Sequence, residues 1–268
     1  MRYKIYSIVV LTALLAVTIS CTKTEQKPFS FAQLCDTQLG MGGYEHDVRT
    51  FEQAVRQINE LKPDFVVICG DLVHNANDSS YTDFKRIMKG FDVPCHPAPG
   101  NHDVGNKPDA RSLKYYRKTI GKDYYTFQNK GYNFIMTNTQ LWKVDVEYES
   151  EIHHQWFKKN LDSLGKTGTS SFVIGHYPIY LKSPEEKEEY FNLPLNKRKE
   201  ILTLLKNNNV KAYLSGHKHE TLINNYENIQ LVSGETTSKN FDKRPMGFRL
   251  WEVAADTIYH QFVPLKNY

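Results

Sequence analysis

The sequence predicts an α/β fold of two packed mixed sheets flanked by helices, and three observations carry that expectation. Short apolar runs alternate with stretches of helical spacing in the first part of the chain. The C-terminal part reads instead as consecutive strands. Between them, polar clusters stand directly after apolar runs, where groups past the carboxyl ends of strands converge on one crevice.

Taken in order, Phe29–Cys35 reads as a strand, and Asp47–Leu61 carries helical spacing through Phe51, Val55 and Ile58. Asp64–Cys69 is an apolar run closed by Gly70-Asp71, and a helical stretch follows at Tyr81–Met88. Val93–Pro97 is a third strand, leading into Gly100-Asn101-His102-Asp103. Such alternation belongs to βαβ units. Tyr124–Gln128 and Tyr132–Asn138 are aromatic and β-branched, and Asn129-Lys130-Gly131 between them signals a hairpin. Glu151–Leu164 is helical, with Trp156, Phe157, Leu161 and Leu164 on its apolar side. Ser171–Gly175 is a strand, Asn196–Lys206 a helix, and Val210–Ser215 a strand before Gly216-His217-Lys218-His219. The tail reads as strands at Thr221–Asn225, Ile229–Ser233, Gly247–Val253 and Thr257–Phe262, an antiparallel finish to a parallel start.

The N-terminus is expected to lie outside this fold. Arg2 and Lys4 precede an apolar run from Ile8 to Val17, too short for a membrane span and closed by small residues, as in secretory signals. Thr18-Ile19-Ser20-Cys21 resembles the lipobox of bacterial lipoproteins. The expected organisation is a signal peptide over residues 1–20, a lipidated Cys21 with a polar tether over 21–28, and one domain over 29–268. That resemblance implies an exported lipoprotein held to a bacterial envelope membrane, at the outer membrane or the periplasmic face. An ordinary signal peptide with a chance cysteine is the plainer alternative.

Loss of residues 1–20 would remove Arg2 and Lys4 and no acid, lowering the formal charge from +4 to +2. A balance so near neutral gives no case for nucleic acid as partner. Beyond Cys21 stand Cys35, Cys69 and Cys95, an odd number, each in or beside an apolar run and read as a small core residue. Nothing in the sequence assigns an oligomeric state.

Five polar clusters follow strands: Asp36-Thr37-Gln38, Gly70-Asp71, Gly100-Asn101-His102-Asp103, Gly175-His176 and Gly216-His217-Lys218-His219. Singly each is weak, since Gly-Asp is usually a turn and His-x-His is often merely exposed. Five in order are hard to attribute to chance. Carboxylate, amide and imidazole together suit a divalent metal of borderline hardness, Mn, Fe, Zn, Co or Ni, and one Asp can bridge two such ions. His102 beside them is placed to protonate a leaving alkoxide, with Asp103 orienting its imidazole.

The ordered set D-x-[HQ], G-D, G-N-H-[DE], G-H and G-H-x-H resembles the signature of calcineurin-like metallophosphoesterases. The resemblance implies the metallo-dependent phosphatase fold, a four-layer α/β/β/α sandwich. It also implies one metal held by Asp36, Gln38, Asp71 and His219, and a second held by Asp71, Asn101, His176 and His217, with Asp71 bridging. Gln38 stands where most members have His, and a neutral amide oxygen is a weaker ligand than imidazole for these metals. The chain resembles the calcineurin-like phosphoesterase domain-containing protein 1 group in that D-x-Q. It shares with that group the runs Asp36-Thr37-Gln38-Leu39-Gly40, Gly100-Asn101-His102-Asp103-Val104-Gly105-Asn106 and Tyr190-Phe191-Asn192-Leu193.

Mammalian members of that group are regarded as serine/threonine phosphoprotein phosphatases. The resemblance therefore implies hydrolysis of phosphomonoesters, on a small molecule or a protein, by attack of a metal-bound hydroxide. Phosphodiester hydrolysis is the alternative within the same chemistry, and a surface lipoprotein that binds without catalysis is the alternative outside it. Ser183–Asn192 is an acidic, aromatic-ended insertion, either a lid whose Tyr190, Phe191 or Asn192 touches substrate or a solvated loop. Lys218 either meets a phosphate or turns away. His74 reads as a hydrogen-bonding neighbour, and His46, His96, His153, His154 and His260 as structural or exposed.

Overall fold

The computed structural model describes residues 27–254 and 257–266, so the expected signal segment and Cys21 lie outside the described residues. Among the described residues no helix is long and apolar enough to cross a membrane. The chain runs β1 (Phe29–Leu34), α1 (Tyr44–Leu61), β2 (Phe65–Cys69), α2 (Asp78–Met88), β3 (Cys95–Ala98), α3 (Asn101–Val104), α4 (Ala110–Thr119), β4 (Tyr125–Asn129) and β5 (Tyr132–Met136). It continues α5 (Gln140–Lys143), α6 (Glu149–Lys166), β6 (Ser171–Ile174), α7 (Leu195–Asn207), β7 (Val210–Ser215), β8 (Leu222–Tyr226), β9 (Ile229–Ser233), β10 (Gly247–Ala254) and β11 (Thr257–Pro264).

Two mixed sheets result, ordered β11-β10-β1-β2-β3 and β4-β5-β6-β7-β9-β8. In the first, β1, β2 and β3 are parallel, and β10 and β11 add antiparallel strands on the β1 side. In the second, β5, β6, β7 and β9 are parallel, with β4 and β8 antiparallel at the edges. The expected antiparallel tail holds for the β8–β9, β1–β10 and β10–β11 pairs and is corrected in one place: β9 lies parallel to β7, and the tail divides between the sheets. Its hydrophobic alternation cannot distinguish the two partners, because it reports only which side chains are buried.

Strand alternation then builds the layers. Phe31 faces the second sheet while Ala32 and Leu34 face the outer helices. Between the sheets, Phe31 stacks on Phe65 at 5.0 Å and Phe134 on Phe172 at 5.1 Å, and Phe65 meets Phe134 edge-on at 4.7 Å. Such pairs contribute about 0.5–1.5 kcal/mol each beyond the area they bury. Outside the first sheet pack Phe51 and Ile58 of α1, Phe84 of α2 and Tyr116 of α4. Outside the second pack Trp142 of α5, Phe157 and Leu161 of α6, and Leu202 of α7. The four-layer α/β/β/α sandwich is therefore present.

Helix α4 is not foreshadowed by apolar spacing, because it buries only Leu113 and Tyr116. Its start is nonetheless written locally: the Asp109 side chain accepts from Ser112 N, and the Ser112 hydroxyl accepts from Asp109 N. Cys35 and Cys69 are buried and Cys95 half-buried, all free thiols, in keeping with core roles. Of the five histidines read as structural or exposed, His153 is buried on Thr137 at 2.8 Å, His154 lies beside Glu200 at 2.8 Å, His96 stacks on Phe127 at 3.7 Å, His46 lies 3.2 Å from Asp47 and His260 lies 2.8 Å from Arg249.

Candidate dinuclear metal site

The clusters meet because their strands run the same way. Asp36, Asp71 and Asn101 follow the parallel β1, β2 and β3, while His176 and the His217/His219 pair follow the parallel β6 and β7 of the facing sheet. Asp71, His176 and His217 offer ligand atoms all within 4.8 Å of one another, and so do Asp36, Asp71 and His219. Asp71 is common to both sets.

This convergence is held against local backbone preference. Asp36, Gln38, Asp71, His217 and His219 have φ of 50°, 32°, 50°, 68° and 53°. Non-glycine residues adopt that region at a cost of about 1–2 kcal/mol each, and such strain collects where function fixes geometry. The motif glycines act chiefly by letting neighbours approach. A Cβ on Gly100 would sit 2.1 Å from Asp71 Oδ1, and one on Gly70, itself at φ 79°, would sit 2.6 Å from His176 Nδ1.

The candidate ligands other than Gln38 are oriented by partners that take their other polar atoms. His176 Nδ1 donates to Cys69 O at 2.8 Å, which leaves Nε2 facing Asn101 Oδ1 at 3.0 Å and Asp71 Oδ1 at 3.4 Å. His219 Nδ1 donates to Lys239 O at 2.6 Å, leaving Nε2 3.5 Å from Asp36 Oδ1. Asn101 turns its Nδ2 to Asn106 Oδ1 and to Tyr190 OH, both at 3.2 Å, so that its carbonyl oxygen faces inward. His217 Nε2 lies 3.4 Å from Tyr190 O, which leaves Nδ1 to ligate. Asp36 accepts His217 N at 3.1 and 3.0 Å, and Asp71 accepts His102 N at 2.9 Å.

The electrostatics follow from this crowding. Burial works to raise the Asp71 carboxyl, but the His176, His102 and His217 imidazoles around it hold it well below the usual carboxylate range. Burial works to lower His176, and the Asp71 and Asp36 carboxylates lift it to about 9. Burial raises Asp36, and it pushes His217, next to the His176 imidazole, well down.

The donor set fits two divalent cations. Carboxylates and imidazoles surround one shared aspartate, and Gln38 Oε1 is buried with no hydrogen-bond partner among the described residues, a costly state unless a cation takes it. Asp36, Gln38, Asp71 and His219 would hold one ion, and Asp71, Asn101, His176 and His217 the other.

The two candidate catalytic residues separate. His102 is half-buried beside Asp71, and its Nδ1 donates to His74 O at 2.8 Å while the two rings stack at 4.7 Å. The expectation that Asp103 orients this imidazole is corrected. The Asp103 carboxylate accepts from Gly100 N at 2.8 Å, from Leu72 N at 3.1 and 3.2 Å, and from Tyr81 OH at 3.4 Å. Asp103 is the third residue of α3, so its side chain reaches back over the helix start rather than toward its neighbour in sequence. Burial, with the nearby Asp71 carboxylate, raises it to about 7.

The 183–192 insertion touches the site through Tyr190 and Phe191, whose rings lie 5.0 and 5.2 Å from that of His217. Asn192 instead braces the insertion from within, donating to Glu186 Oε1 at 2.7 Å. The buried Arg198 guanidinium ties its base to Pro184 O, Glu186 O and Leu193 O. Lys218 Nζ lies 4.8 Å over the Phe191 ring and 3.0 Å from Glu220, turned aside from the metal ligands. Sequence reasoning missed Thr139, whose hydroxyl accepts from His176 N and Tyr177 N, and Phe241, stacked on His219 at 4.7 Å. Neither lies in a motif.

Comparison with known proteins agrees with this geometry. Residues 29–221 match the family described as calcineurin-like phosphoesterase. Serine/threonine-protein phosphatase CPPED1 of Mus musculus is 32% identical over 267 residues, covering 90% of this chain and 85% of that protein. Its Homo sapiens counterpart is 31% identical over 266 residues, with the same coverage. A dimetal phosphatase from Danio rerio shares the fold at a TM-score of 0.66 and 14% identity, over 87% of this chain and 95% of that one. The chain belongs to the calcineurin-like phosphoesterase family and is a hydrolase that takes two divalent metal ions.

Proposed function

We propose that the chain hydrolyses phosphomonoesters, with phosphoserine and phosphothreonine residues of proteins among them, using His102 as the acid that protonates the leaving alkoxide. The observation that carries this is Asp71, shared between two ligand sets while its Oδ1 accepts the His102 backbone N–H at 2.9 Å. Two ions held there supply charge neutralisation at phosphoryl oxygen and an activated water. His102 contributes through its tautomer. With Nδ1–H held by His74 O, the imidazolium gives its Nε2 proton to the departing oxygen and is left as the neutral Nδ1–H tautomer. Tyr190 and Phe191 cover the His217 side and limit which leaving groups enter. The phosphoprotein reading is supported by the CPPED1 relatives.

The test is metal analysis of the full chain in detergent, with parallel turnover of para-nitrophenyl phosphate and bis-para-nitrophenyl phosphate. Two metals per chain and metal-dependent turnover of the monoester, lost in Asp71→Ala, are expected. Faster turnover of the diester would replace the reading with phosphodiester hydrolysis. Absence of metal and of turnover under every divalent ion would leave a binding protein.

We also propose export and lipidation at Cys21, supported by the basic, apolar and Thr18–Cys21 segments in order. Labelled palmitate fed to a bacterial host should enter the full chain and not Cys21→Ala. Equal labelling of the two would reject the anchor.

A further inference from the structure

On the His219 side of the metal site opens a cavity of about 390 Å³. Its lining includes Met41, Gly42, Ser238, Lys239, Lys243 and Arg244. Three of these carry permanent positive charge, all three are exposed, and no carboxylate lines the cavity. Among the described residues Lys239 and Lys243 form no ion pair, and Arg244 meets only Asp242, at 3.6 Å. The nearest buried acid, Asp47, is engaged by Gly40 N and Gly42 N at 2.8 and 3.0 Å.

Both walls of this cavity are tied to metal ligands. Met41 N donates to Gln38 O at 3.0 Å on one side, and Lys239 O accepts from His219 Nδ1 at 2.6 Å on the other. Gly42 N donates to Ser238 Oγ at 3.2 Å and clasps the walls together. Phe241, from the same loop, stacks on the His219 ring. The cationic cavity thus adjoins the His219 side of the metal site, with its walls hydrogen-bonded to two of the candidate ligand residues.

We propose that this cavity is a subsite for a second anionic group of the substrate, a carboxylate or a further phosphate carried near the scissile phosphate. The proposal rests on the monoesterase reading and specifies its substrate class. A cavity lined by cations in excess of carboxylates beside a phosphoryl site attracts anions and raises the local concentration of substrates that carry two anionic groups. Substrates whose only anionic group is the scissile phosphate gain nothing from it.

The experiment uses the full chain loaded with Mn²⁺ and compares kcat/KM within two substrate pairs. One pair is a phosphoserine peptide flanked by glutamates against the same peptide with glutamines. The other is fructose 1,6-bisphosphate against fructose 6-phosphate. The doubly anionic partner of at least one pair is expected to lead by roughly fivefold to tenfold, mostly through KM, as befits a few exposed ion pairs. Added salt should erode that lead. Lys243→Gln with Arg244→Gln should abolish it and leave para-nitrophenyl phosphate turnover unchanged, while Lys243→Arg with Arg244→Lys should keep it. The leading pair identifies the anion as carboxylate or phosphate. Equal values within both pairs, or a lead that survives the glutamine variant, would overturn the subsite. Failure to turn over para-nitrophenyl phosphate would overturn the monoesterase reading, and the subsite with it.

Discussion

The phenol oxygen of Tyr190 accepts a hydrogen bond from Asn101 Nδ2 at 3.2 Å, so a half-exposed residue of a surface insertion turns the carbonyl oxygen of a candidate ligand amide toward His176. Asn106 Oδ1 shares that task at the same distance. Partners of this kind typically change metal affinity or activity by about 10–100-fold when removed.

Tyr190→Phe should therefore weaken metal binding at the Asn101 site by roughly tenfold, the lower end of that range because Asn106 remains. Titration of the metal-free protein with Mn²⁺ measures it. An unchanged affinity would show that Asn106 alone orients the amide.

His102 and Asp103 should separate under mutation. His102→Ala is expected to keep both metals and lose roughly 10²–10⁴-fold in turnover of an alkyl phosphate, with a smaller loss on para-nitrophenyl phosphate, whose leaving group needs no proton. Asp103→Asn removes an acceptor of the Gly100 and Leu72 N–H groups and should lower the unfolding midpoint in urea without changing that leaving-group dependence. A leaving-group profile in Asp103→Asn that matches His102→Ala would restore Asp103 to the proton-transfer role.

Metal loading should strengthen with pH. In the metal-free protein His176 titrates at about 9, so at neutral pH an incoming ion must displace its proton. Affinity is expected to rise with pH up to about 9 and then level. Calorimetry in buffers of different ionisation enthalpy should find close to one proton released per chain from this residue near neutrality. No release would mean that His176 is already neutral.

Two histidines should cost the fold stability as pH falls below 6.5. Burial holds His153 at about 3 and His96 at about 4, against 6.5 for the free imidazole. Both stay neutral in the folded chain, while the unfolded chain takes up their protons below 6.5. The stability they confer is complete above that pH and is lost as pH falls from 6.5 toward 4, at up to about 1.4 kcal/mol per pH unit for each. Urea midpoints at both ends of that window should converge less for wild type than for His153→Gln, which cannot ionise. Parallel pH dependence of the two would reject His153 as a contributor.

The five motifs, their order and their attachment to strand ends were legible in the chain, because a ligand set needs particular side-chain types and close-approach glycines at short spacing. Local sequence also sufficed for nearly every strand and helix, since apolar period records which face is buried. It was silent on α4, which buries too little to show a period, and on α3 and α5, which are four residues each and too short to show one.

What tertiary structure alone decided is who meets whom. Asp103 follows His102 in sequence, yet it serves the Gly100 and Leu72 backbone, while His74, twenty-eight residues away, supplies the imidazole's acceptor. Thr139 and Lys239 reach the candidate ligands from loops outside every motif, and Tyr190 reaches Asn101 across 89 residues of chain. Hydrogen-bond partners are set by where strands end in space, and the pairing of β9 with β7 and of β10 with β1 depends on contacts far apart in the chain. Residue type along the sequence determines the chemistry on offer; the packing of two sheets determines which of those groups share a proton, a metal or a substrate.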